Sequence, residues 1–271
     1  MKPIIKWVGG KRDSLPKIKE LLPKVYNNYY EPFLGGGAVL LDLTPDKAIV
    51  GDINPELINM YMEVREHPEE VISYLKDIDC DFNIAAEKKD YYYLIRMMYN
   101  HNMGNEAYKQ AARFIFLNKH CFNGLYRVNR KGEFNVPFNG KVDGKSADPD
   151  HIREVSEYLK KVEFRLGDFT KCLETARAGD FIFLDSPYAP LTATSFTDYT
   201  KEGFEYQDHI RLAEIFKDLT DRGCKCMLTN HDTPLIIELY KDYNFTEVDV
   251  RRSINRNGDN RKGKEVIITN Y

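Results

Sequence analysis

The sequence predicts an α/β fold: a parallel sheet into which a mainly helical block is inserted. Three short apolar runs each end in an acidic residue, namely Glu31, Asp52 and Asp185. Buried parallel strands have this pattern when polar side chains collect at their carboxyl ends. Segments with helical spacing of apolar residues separate the runs. Between residues 57 and 163 this alternation stops, and the pattern becomes that of several consecutive helices.

The individual elements follow from spacing and from end signals. The first strand, 29–31, leads into three consecutive glycines and a helix start, and the second strand covers 48–52. Asn54 and Pro55 are typical of a helix N-terminus, and Asp148 has the same role before a later helix. The remaining predictions are helices at 56–66, 106–119, 149–161, 207–222 and 234–240, a strand at 224–229, and a terminal hairpin of 245–251 and 265–269.

The composition limits the class of protein. A chain of 271 residues suffices for one large domain or one domain with an insertion. Its net charge of −3 gives no global argument for nucleic acid, so such an argument depends on local basic patches. An odd number of cysteines, five, favours free thiols in a reducing compartment. No apolar run approaches the ~18 residues of a membrane span, and the first residues lack a secretory signal. We expect a cytoplasmic protein.

Metal binding is the alternative for the C-x-C sequence of Cys224 and Cys226, which lies in an apolar run. Only His231 offers a further ligand nearby, and two thiols fall short of a zinc site. We interpret the sequence as part of a buried strand and expect no metal.

The segment Asp185-Ser186-Pro187-Tyr188, which follows an apolar strand, suits an exocyclic amine on a planar base. A carboxylate and a backbone carbonyl can accept both hydrogens of the amine, and the aromatic ring can stack on the base. A strand-to-turn junction that begins with Asp is the structural alternative.

The glycine-rich segment 31–37 indicates a cofactor of the adenosine type. Gly35 and Gly37 let a ligand approach the backbone, and Asp52 ends the next strand, where a carboxylate can bind ribose hydroxyls. Leu40 stands where a dinucleotide fingerprint has its third glycine, which argues against a pyrophosphate. A tight turn with a capping Asp is the alternative. In segment 6–11, Trp7 could form a wall and Lys11 could pair with a carboxylate; the alternative is a flexible lead-in.

Two basic segments are candidates for nucleic-acid contact. Segment 118–138 interleaves cations and amides with aromatic rings, and Arg and Asn side chains read guanine and adenine edges. A solvated hairpin would look similar. Segment 251–264 has six cations against one acid, Asp259, and suits a clamp on phosphates.

Together these motifs, in this order, resemble the Dam-type DNA adenine N6-methyltransferases along nearly the whole chain. The resemblance rests on Lys6-Trp7-Val8-Gly9-Gly10-Lys11, Glu31-Pro32-Phe33-Leu34-Gly35-Gly36-Gly37, Asp52-Ile53-Asn54, segment 118–138, Asp185-Ser186-Pro187-Tyr188 with Ala189-Pro190-Leu191, Asn230-His231-Asp232-Thr233 and Arg251-Arg252-Ser253-Ile254.

The resemblance implies a Rossmann-like, seven-stranded methyltransferase domain formed by 1–56 and 164–271. It implies that 57–163 is an inserted, mainly helical target-recognition domain with a β-hairpin. The implied reaction transfers a methyl group from S-adenosylmethionine to N6 of adenine in double-stranded DNA, within GATC, after base flipping. We expect a monomer that acts in the bacterial nucleoid or in a phage-infected cell.

The resemblance also implies residue roles. Asp185, Ser186, Pro187 and Tyr188 would hold the target base. The cofactor would be bound by Trp7, Lys11, Glu31, Phe33, Gly35, Gly37, Asp52, Asp168, Phe169 and Asp185. DNA would be contacted by Lys6, by the base-reading residues Asn123, Leu125, Arg127 and Pro137, with Arg127 on guanine, and by the backbone-gripping residues Arg251, Arg256, Arg261 and Lys262.

One position departs from the family pattern: Ser186 stands where the family has proline. The backbone carbonyl survives this change, and the following Pro187 favours an extended conformation at Ser186. We expect activity to be retained at an equal or lower rate. Two alternatives stay open: a methyltransferase acting on RNA or a protein amide, and a DNA-binding protein without turnover.

Overall fold

The computed structural model describes residues 1–11, 13–104, 106–142, 144–190, 204–251 and 262–271. Its helices are α1 (Leu15–Glu20), α2 (Ala38–Leu43), α3 (Pro55–Glu66), α4 (Pro68–Ile84), α5 (Lys88–Asn100), α6 (Ala107–His120), α7 (Pro149–Leu159), α8 (Phe169–Leu173), α9 (Tyr206–Asp221) and α10 (Pro234–Leu239). Its strands are β1 (Tyr29–Glu31), β2 (Ala48–Asp52), β3 (Val162–Leu166), β4 (Phe181–Leu184), β5 (Lys225–His231), β6 (Asn244–Arg251) and β7 (Lys262–Thr269).

The described strands form a seven-stranded sheet in the order β3-β2-β1-β4-β5-β7-β6. Strand β1 is parallel to both β2 and β4, and β4 is parallel to β5. Strand β7 is antiparallel to β5 on one side and to β6 on the other. The predicted α/β class and the antiparallel pairing of the last two strands are therefore confirmed.

The sequence did not predict β3, and its position explains why. This strand is at one end of the sheet order, and only Val162 of its five residues is buried. Glu163 and Arg165 alternate with apolar residues and form an ion pair at 2.7 Å. An edge strand of this composition lacks the continuous apolar run that marks β4.

The chain divides into two compact units. One, the helical unit, comprises 1–10, 35–44 and 52–167; the other, the sheet unit, comprises 11–34, 45–51 and 168–271. Assignment of 57–163 to target recognition, and of the rest to catalysis, stays a prediction.

The core of the helical unit is built around α6. Every residue from Gln110 to Asn118 on this helix is buried, and α3, α4 and α5 pack against it. A helix that is buried on all sides has to be enclosed by neighbouring helices in this way, and its buried polar side chains need partners. Its buried Arg113 donates a hydrogen bond to the Tyr74 hydroxyl at 2.9 Å.

The core of the sheet unit lies on both sides of β4 and β5. Phe216 of α9 and Phe169 of α8 pack with Ile182 and Leu228 in one apolar cluster. Both predicted N-caps lie in the helical unit and are confirmed: Asn54 accepts hydrogen bonds from two amides of α3, and Asp148 accepts one from α7.

His120, the last residue of α6, gives the fold a predictable acid sensitivity. Its ring centroid lies 4.5 Å from those of Phe82 and Phe116, and burial lowers its pKa to about 4. The unfolded chain has a histidine pKa of about 6.5, so the unfolded state binds the proton more tightly. The stability contributed by neutral His120 should be present above that value and be lost as pH falls toward 4.

Urea unfolding between pH 7 and 4 measures this effect. The variant His120→Leu should show a shallower loss of unfolding free energy over that range than the wild-type protein. His101→Leu, at an exposed position, should leave the pH dependence unchanged. Equal slopes for wild type and His120→Leu would contradict the assignment.

Three further features concern the class of protein: membrane spans, cysteine thiols and metal-binding clusters. No helix in the described part of the chain is long and apolar enough to cross a membrane. All five cysteines are free thiols, four of them buried and Cys80 exposed. Among the described residues, no cluster of three or more His, Cys, Asp or Glu side chains could hold a metal ion.

Candidate active site

Asp185 lies at the carboxyl end of the fully buried strand β4, inside the sheet unit. One of its carboxylate oxygens, Oδ1, is 2.7 Å from Lys11 Nζ and accepts a hydrogen bond from Thr229 Oγ1 at 2.7 Å. Lys11 is only 5% exposed, and this carboxylate offsets part of the free-energy cost of burying its charge. The ion pair and the hydroxyl fix the orientation of the Asp185 carboxylate.

Tyr188 is held on several sides within the same unit. Its hydroxyl donates a hydrogen bond to Glu265 Oε2 at 3.0 Å, and Lys11 Nζ lies 4.7 Å from its ring centroid. The His231 ring meets it at 4.8 Å with an interplanar angle of 73°. Burial raises the pKa of the phenol, and the Asp185 and Glu265 carboxylates add to this effect. Tyr188 is therefore a neutral hydrogen-bond donor.

The Asn230-His231 sequence at the end of β5 organises the turn that follows β4. Asn230 Oδ1 accepts hydrogen bonds from the amides of Ala189 and His231, at 2.8 and 2.9 Å. His231 Nδ1 lies 2.8 Å from the Ala189 carbonyl oxygen, which can only accept, so Nδ1 carries the proton. The motif Asn230-His231-Asp232-Thr233 carries no local signal for this role in the turn.

Ser186 is 2% exposed, and its Oγ lies 3.5 Å from Asn230 Nδ2. Because Asn230 and the buried strand already restrain this turn, a proline ring should add little order. We expect Ser186→Pro to change the single-turnover methylation rate by less than about tenfold, since such substitutions are worth ~0.4–1 kcal/mol. An unfolding temperature equal to or slightly above that of the wild type would confirm an intact fold, and an increase of several orders of magnitude in the methylation rate would show that Ser186 limits the reaction.

The segment around Asp168 forms a second cluster in the sheet unit. Phe33 packs on Phe169 with centroids 5.2 Å apart. Arg211 of α9 places its guanidinium carbon 4.5 Å from the Phe169 centroid and Nη2 2.7 Å from Asp168 Oδ2. Partial burial raises the pKa of Asp168. Hydrogen bonds from Thr170 and Arg211 lower it by more than burial raises it, so the net pKa lies below its usual range.

This cluster joins three residues predicted to bind the cofactor and adds a fourth. Asp168, Phe169 and Phe33 are the predicted residues, and Arg211 was missed because it follows them by more than 40 positions. The predicted Glu31 is also in this unit: it is 2% exposed and accepts a hydrogen bond from the Tyr29 hydroxyl at 2.8 Å.

The remaining predicted cofactor residues lie in the helical unit, where Asp52 fixes the glycine loop. The Gly35 and Asn54 amides donate to its two carboxylate oxygens, each at 2.9 Å. Burial raises the pKa of Asp52, and these backbone hydrogen bonds oppose the shift. Gly35 and Gly37 have φ of +50° and +64°, which favour glycine.

Trp7 packs directly on this loop. A Cβ added to Gly35 would lie 2.8 Å from the indole Cδ1. The indole also stacks on Tyr126 at a centroid distance of 5.6 Å and meets Phe114 at 6.3 Å. The structure thus packs Trp7 between the glycine loop and segment 118–138, unlike the flexible lead-in considered above.

Segment 118–138 contains two isolated antiparallel bridges, Cys121 with Phe138 and Val128 with Phe134. Arg127 is exposed and its Nε donates to Asn135 Oδ1 at 2.7 Å, which holds the guanidinium. Among the other predicted base-reading residues, Asn123 and Pro137 are exposed and Leu125 is half-buried.

The second basic segment is described only in part. The backbones of Arg251 and Lys262 pair at the end of the β6–β7 ladder. The predicted contacts Arg256 and Arg261 lie outside the described residues.

Asn118 joins the N-terminal segment to the predicted base-reading segment. Its Oδ1 accepts from the Lys6 amide at 2.8 Å, and its Nδ2 donates to the carbonyls of Lys6 at 2.7 Å and Gly124 at 3.2 Å. Gly124, with φ +67°, packs against the Lys6 side chain so closely that a Cβ would lie 2.6 Å away. Asn118 therefore positions Lys6 against the segment 122–138.

We expect Asn118→Ala to weaken DNA binding by about tenfold, because two segments lose their common anchor; hydrogen bonds of this kind are worth ~1 kcal/mol each. Fluorescence anisotropy with a labelled duplex measures the affinity. Asn270 makes a similar bridge in the sheet unit, accepting from the Cys226 amide and donating to the Cys224 carbonyl. Asn270→Ala is the control: equal weakening of DNA binding by both variants would contradict the role of Asn118.

The fold and the site together define the class of protein. It is an α/β protein in which the Asp185 carboxylate, the Ser186 carbonyl and the Tyr188 ring follow a central parallel strand, β4. The chain belongs to the D12 class N6 adenine-specific DNA methyltransferase family, whose model matches residues 7–254. The motif-based resemblance and the enzyme class that it implied, an adenine-specific DNA methyltransferase, are thereby confirmed.

Individual relatives match over nearly their whole length. The chain is 40% identical to the Type II methyltransferase M1.LlaDCHI of Lactococcus lactis subsp. cremoris, with 100% of this chain and 96% of the relative covered. It is 42% identical to the Type II methyltransferase M.MjaIII of Methanocaldococcus jannaschii, with 100% and 99% covered. It is 36% identical to the DNA adenine methylase of Haemophilus influenzae, with 98% and 92% covered.

Proposed function

We propose that this enzyme transfers the methyl group of S-adenosylmethionine to N6 of adenine in GATC, within double-stranded DNA. The observation that carries the proposal is the arrangement after β4. Asp185 is fixed there by Lys11 and Thr229, and the ring of Tyr188 is held beside the same lysine. A fixed acceptor and an immobilised ring suit an amino group on a planar base.

The residues of the chain fit the proposed cofactor. Asp52 offers a half-buried carboxylate for ribose hydroxyls, and Gly35, with its positive φ, shapes the adjoining loop beside the Trp7 indole. Phe33, Phe169 and Asp168 suit an adenine ring, through aromatic contact and through hydrogen-bond acceptance. Trp7, Lys11, Glu31, Gly37 and Asp185 complete the proposed set. When bound, this cofactor supplies an electrophilic methyl group.

The chain's own contribution to the transfer is positioning and charge. A flipped adenine, whose unstacking costs a few kcal/mol, would place its amino hydrogens on the Asp185 carboxylate and the Ser186 carbonyl. Pro187 fixes the turn between that carbonyl and Tyr188, whose ring would stack on the base. Held in this way, N6 would present its lone pair to the methyl donor; the sulfur–methyl bond would break as the nitrogen–methyl bond forms, and the amino group would release one of its two protons. Alignment of reactants and fixed electrostatics are large terms in catalysis.

Target reading is assigned to the helical unit. Arg127, exposed and held by Asn135, suits the O6 and N7 acceptors of guanine. Asn123, Leu125 and Pro137 lie in the same segment, and Lys6 is packed on it at Gly124. Contacts with the phosphate backbone of the DNA are assigned to Arg251, Arg256, Arg261 and Lys262. The choice of GATC rests on the resemblance of these residues to the family, and we propose that a monomer suffices.

The test is transfer of a labelled methyl group to two duplexes, one with GATC and one in which its adenine is replaced. We expect incorporation only into the GATC duplex, recovered as N6-methyladenine. Unlabelled RNA should not compete. Incorporation into both duplexes would overturn the proposed specificity. Cofactor and DNA binding without any incorporation would favour the DNA-binding protein without turnover and would direct attention to Ser186.

A further inference from the structure

Glu265 is the hydrogen-bond partner of the ring proposed to hold the target base. Its Oε2 accepts from the Tyr188 hydroxyl at 3.0 Å, across 77 positions of sequence. Tyr188 is half-buried, and its hydroxyl also has a side-chain hydrogen bond with Thr229, but Glu265 Oε2 is the acceptor of its proton. A partly buried hydroxyl that loses such an acceptor loses part of its solvation energy. The bond therefore fixes the direction in which the Tyr188 side chain points.

The location of Glu265 in the sheet makes this anchor rigid. It lies on β7, paired with His231 of β5 on one side and with Val248 of β6 on the other. His231 itself meets the Tyr188 ring at 4.8 Å. Two neighbouring strands thus hold the tyrosine, one by a ring contact and one by a hydrogen bond.

The same strand begins in the basic segment 251–264. Strand β7 starts at Lys262, three positions before Glu265. The proposed function has the segment 251–264 bind the phosphates of DNA. The strand to which this segment connects, β7, is then the same strand that carries Glu265, the hydrogen-bond partner of Tyr188. Lys262 and Glu265 are thus connected directly through the backbone of one strand.

We propose that Glu265 is a positioning residue for methyl transfer, which holds Tyr188 in the orientation that stacks on the flipped adenine. This inference rests on the proposed role of Tyr188. It assigns to Glu265 no contact with substrate or cofactor. Its expected signature is a loss of turnover without a matching loss of DNA affinity, because the bond orients a ring inside the site.

A double-mutant cycle tests the proposal. Tyr188→Phe removes the donor and Glu265→Ala removes the acceptor, so each should lower kcat by about 10- to 100-fold, the effect of a hydrogen bond to a charged group. KM for the duplex should change by less than about twofold in each variant, as expected when binding of the ground state is unaffected. The double variant should be no slower than either single variant.

Conservative and matched controls separate orientation from charge. Glu265→Gln keeps an oxygen that accepts the phenol proton, and it should retain most of kcat. Asp249→Asn removes one negative charge from the neighbouring strand β6, where Asp249 is exposed and its backbone is paired with that of Lys264 in the β6–β7 ladder. We expect wild-type kcat for Asp249→Asn. Unfolding temperatures of all variants check that the sheet is intact.

The outcomes are distinguishable. Losses that multiply in the double variant would show that Glu265 and Tyr188 act independently, and would overturn the proposal. So would equal losses in Glu265→Gln and Glu265→Ala, or a loss in Asp249→Asn that matches them. Failure of the wild-type enzyme to methylate GATC would contradict the proposed specificity instead. The cycle would then be measured on whichever adenine-containing duplex the enzyme methylates.

Discussion

Replacement of Asp185 by Asn should lower kcat for methyl transfer by about 10²- to 10³-fold, as expected for loss of one fixed electrostatic partner. The amide would turn a hydrogen-bond donor toward the amino group and would accept less strongly. It would also remove the carboxylate that lies 2.7 Å from the ammonium of Lys11, which is 5% exposed. Single-turnover rates with saturating cofactor and duplex measure the effect.

Asp180 supplies the matched control, because the two aspartates flank the same strand. Asp180 precedes β4, is fully buried and accepts hydrogen bonds from the amides of Asn28 and Arg177. Asp180→Asn should cost ~1–3 kcal/mol of stability, the usual penalty for disturbing buried polar groups, and should leave kcat of the folded protein near wild type. A collapse of kcat in Asp180→Asn, or a fully active Asp185→Asn, would refute the assignment.

Gly35→Ala should weaken binding of S-adenosylmethionine by about 10- to 100-fold, since overpacking costs ~1–3 kcal/mol. The added Cβ would lie 2.8 Å from the Trp7 indole, so the ring or the loop must move. Either movement disturbs residues proposed to bind the cofactor. Isothermal titration with S-adenosylmethionine measures Kd directly.

Backbone strain alone could also disturb the loop, and Gly140→Ala controls for it. Gly140 has φ +81°, and a Cβ there would have no heavy atom within 4 Å. Both variants therefore place alanine in the left-handed region, at a cost of ~1–2 kcal/mol, but only Gly35→Ala adds the clash. Comparable Kd values for the two variants would contradict a specific contact between the glycine loop and Trp7.

Local signals were enough to predict most elements of the fold. Strand β4 has only buried apolar residues, and helix α3 begins with Asn54 capping its first turn. Such patterns are contained within a few residues. Strand β3 was missed because an edge strand with Glu163 and Arg165 lacks an apolar run. The position of β7 between β5 and β6 depends on pairing between distant segments, which periodicity does not encode.

The same distinction applies to the candidate site. The tetrapeptide that begins at Asp185 and the glycines before α2 carry their signal locally. Glu265 carries no such local signal, because a glutamate in a strand near a basic segment is common. Only its contact with the Tyr188 hydroxyl, 77 positions away in sequence, distinguishes it. Arg211 and Asn118 were missed for the same reason: each acts on residues that fold close to it from far along the chain.

The place of β7 in the sheet has a consequence for motion. Within the described strands, β6 is joined to the sheet only through β7, and β7 is joined to β5 by the ladder from Met227 with Thr269 to His231 with Glu265. Detachment of this ladder would release β6 and β7 together while β1, β2 and β4 stay paired, an opening that costs less free energy than global unfolding. Such an opening would separate Glu265 from Tyr188, so the alignment proposed for that ring would be lost and regained without global unfolding.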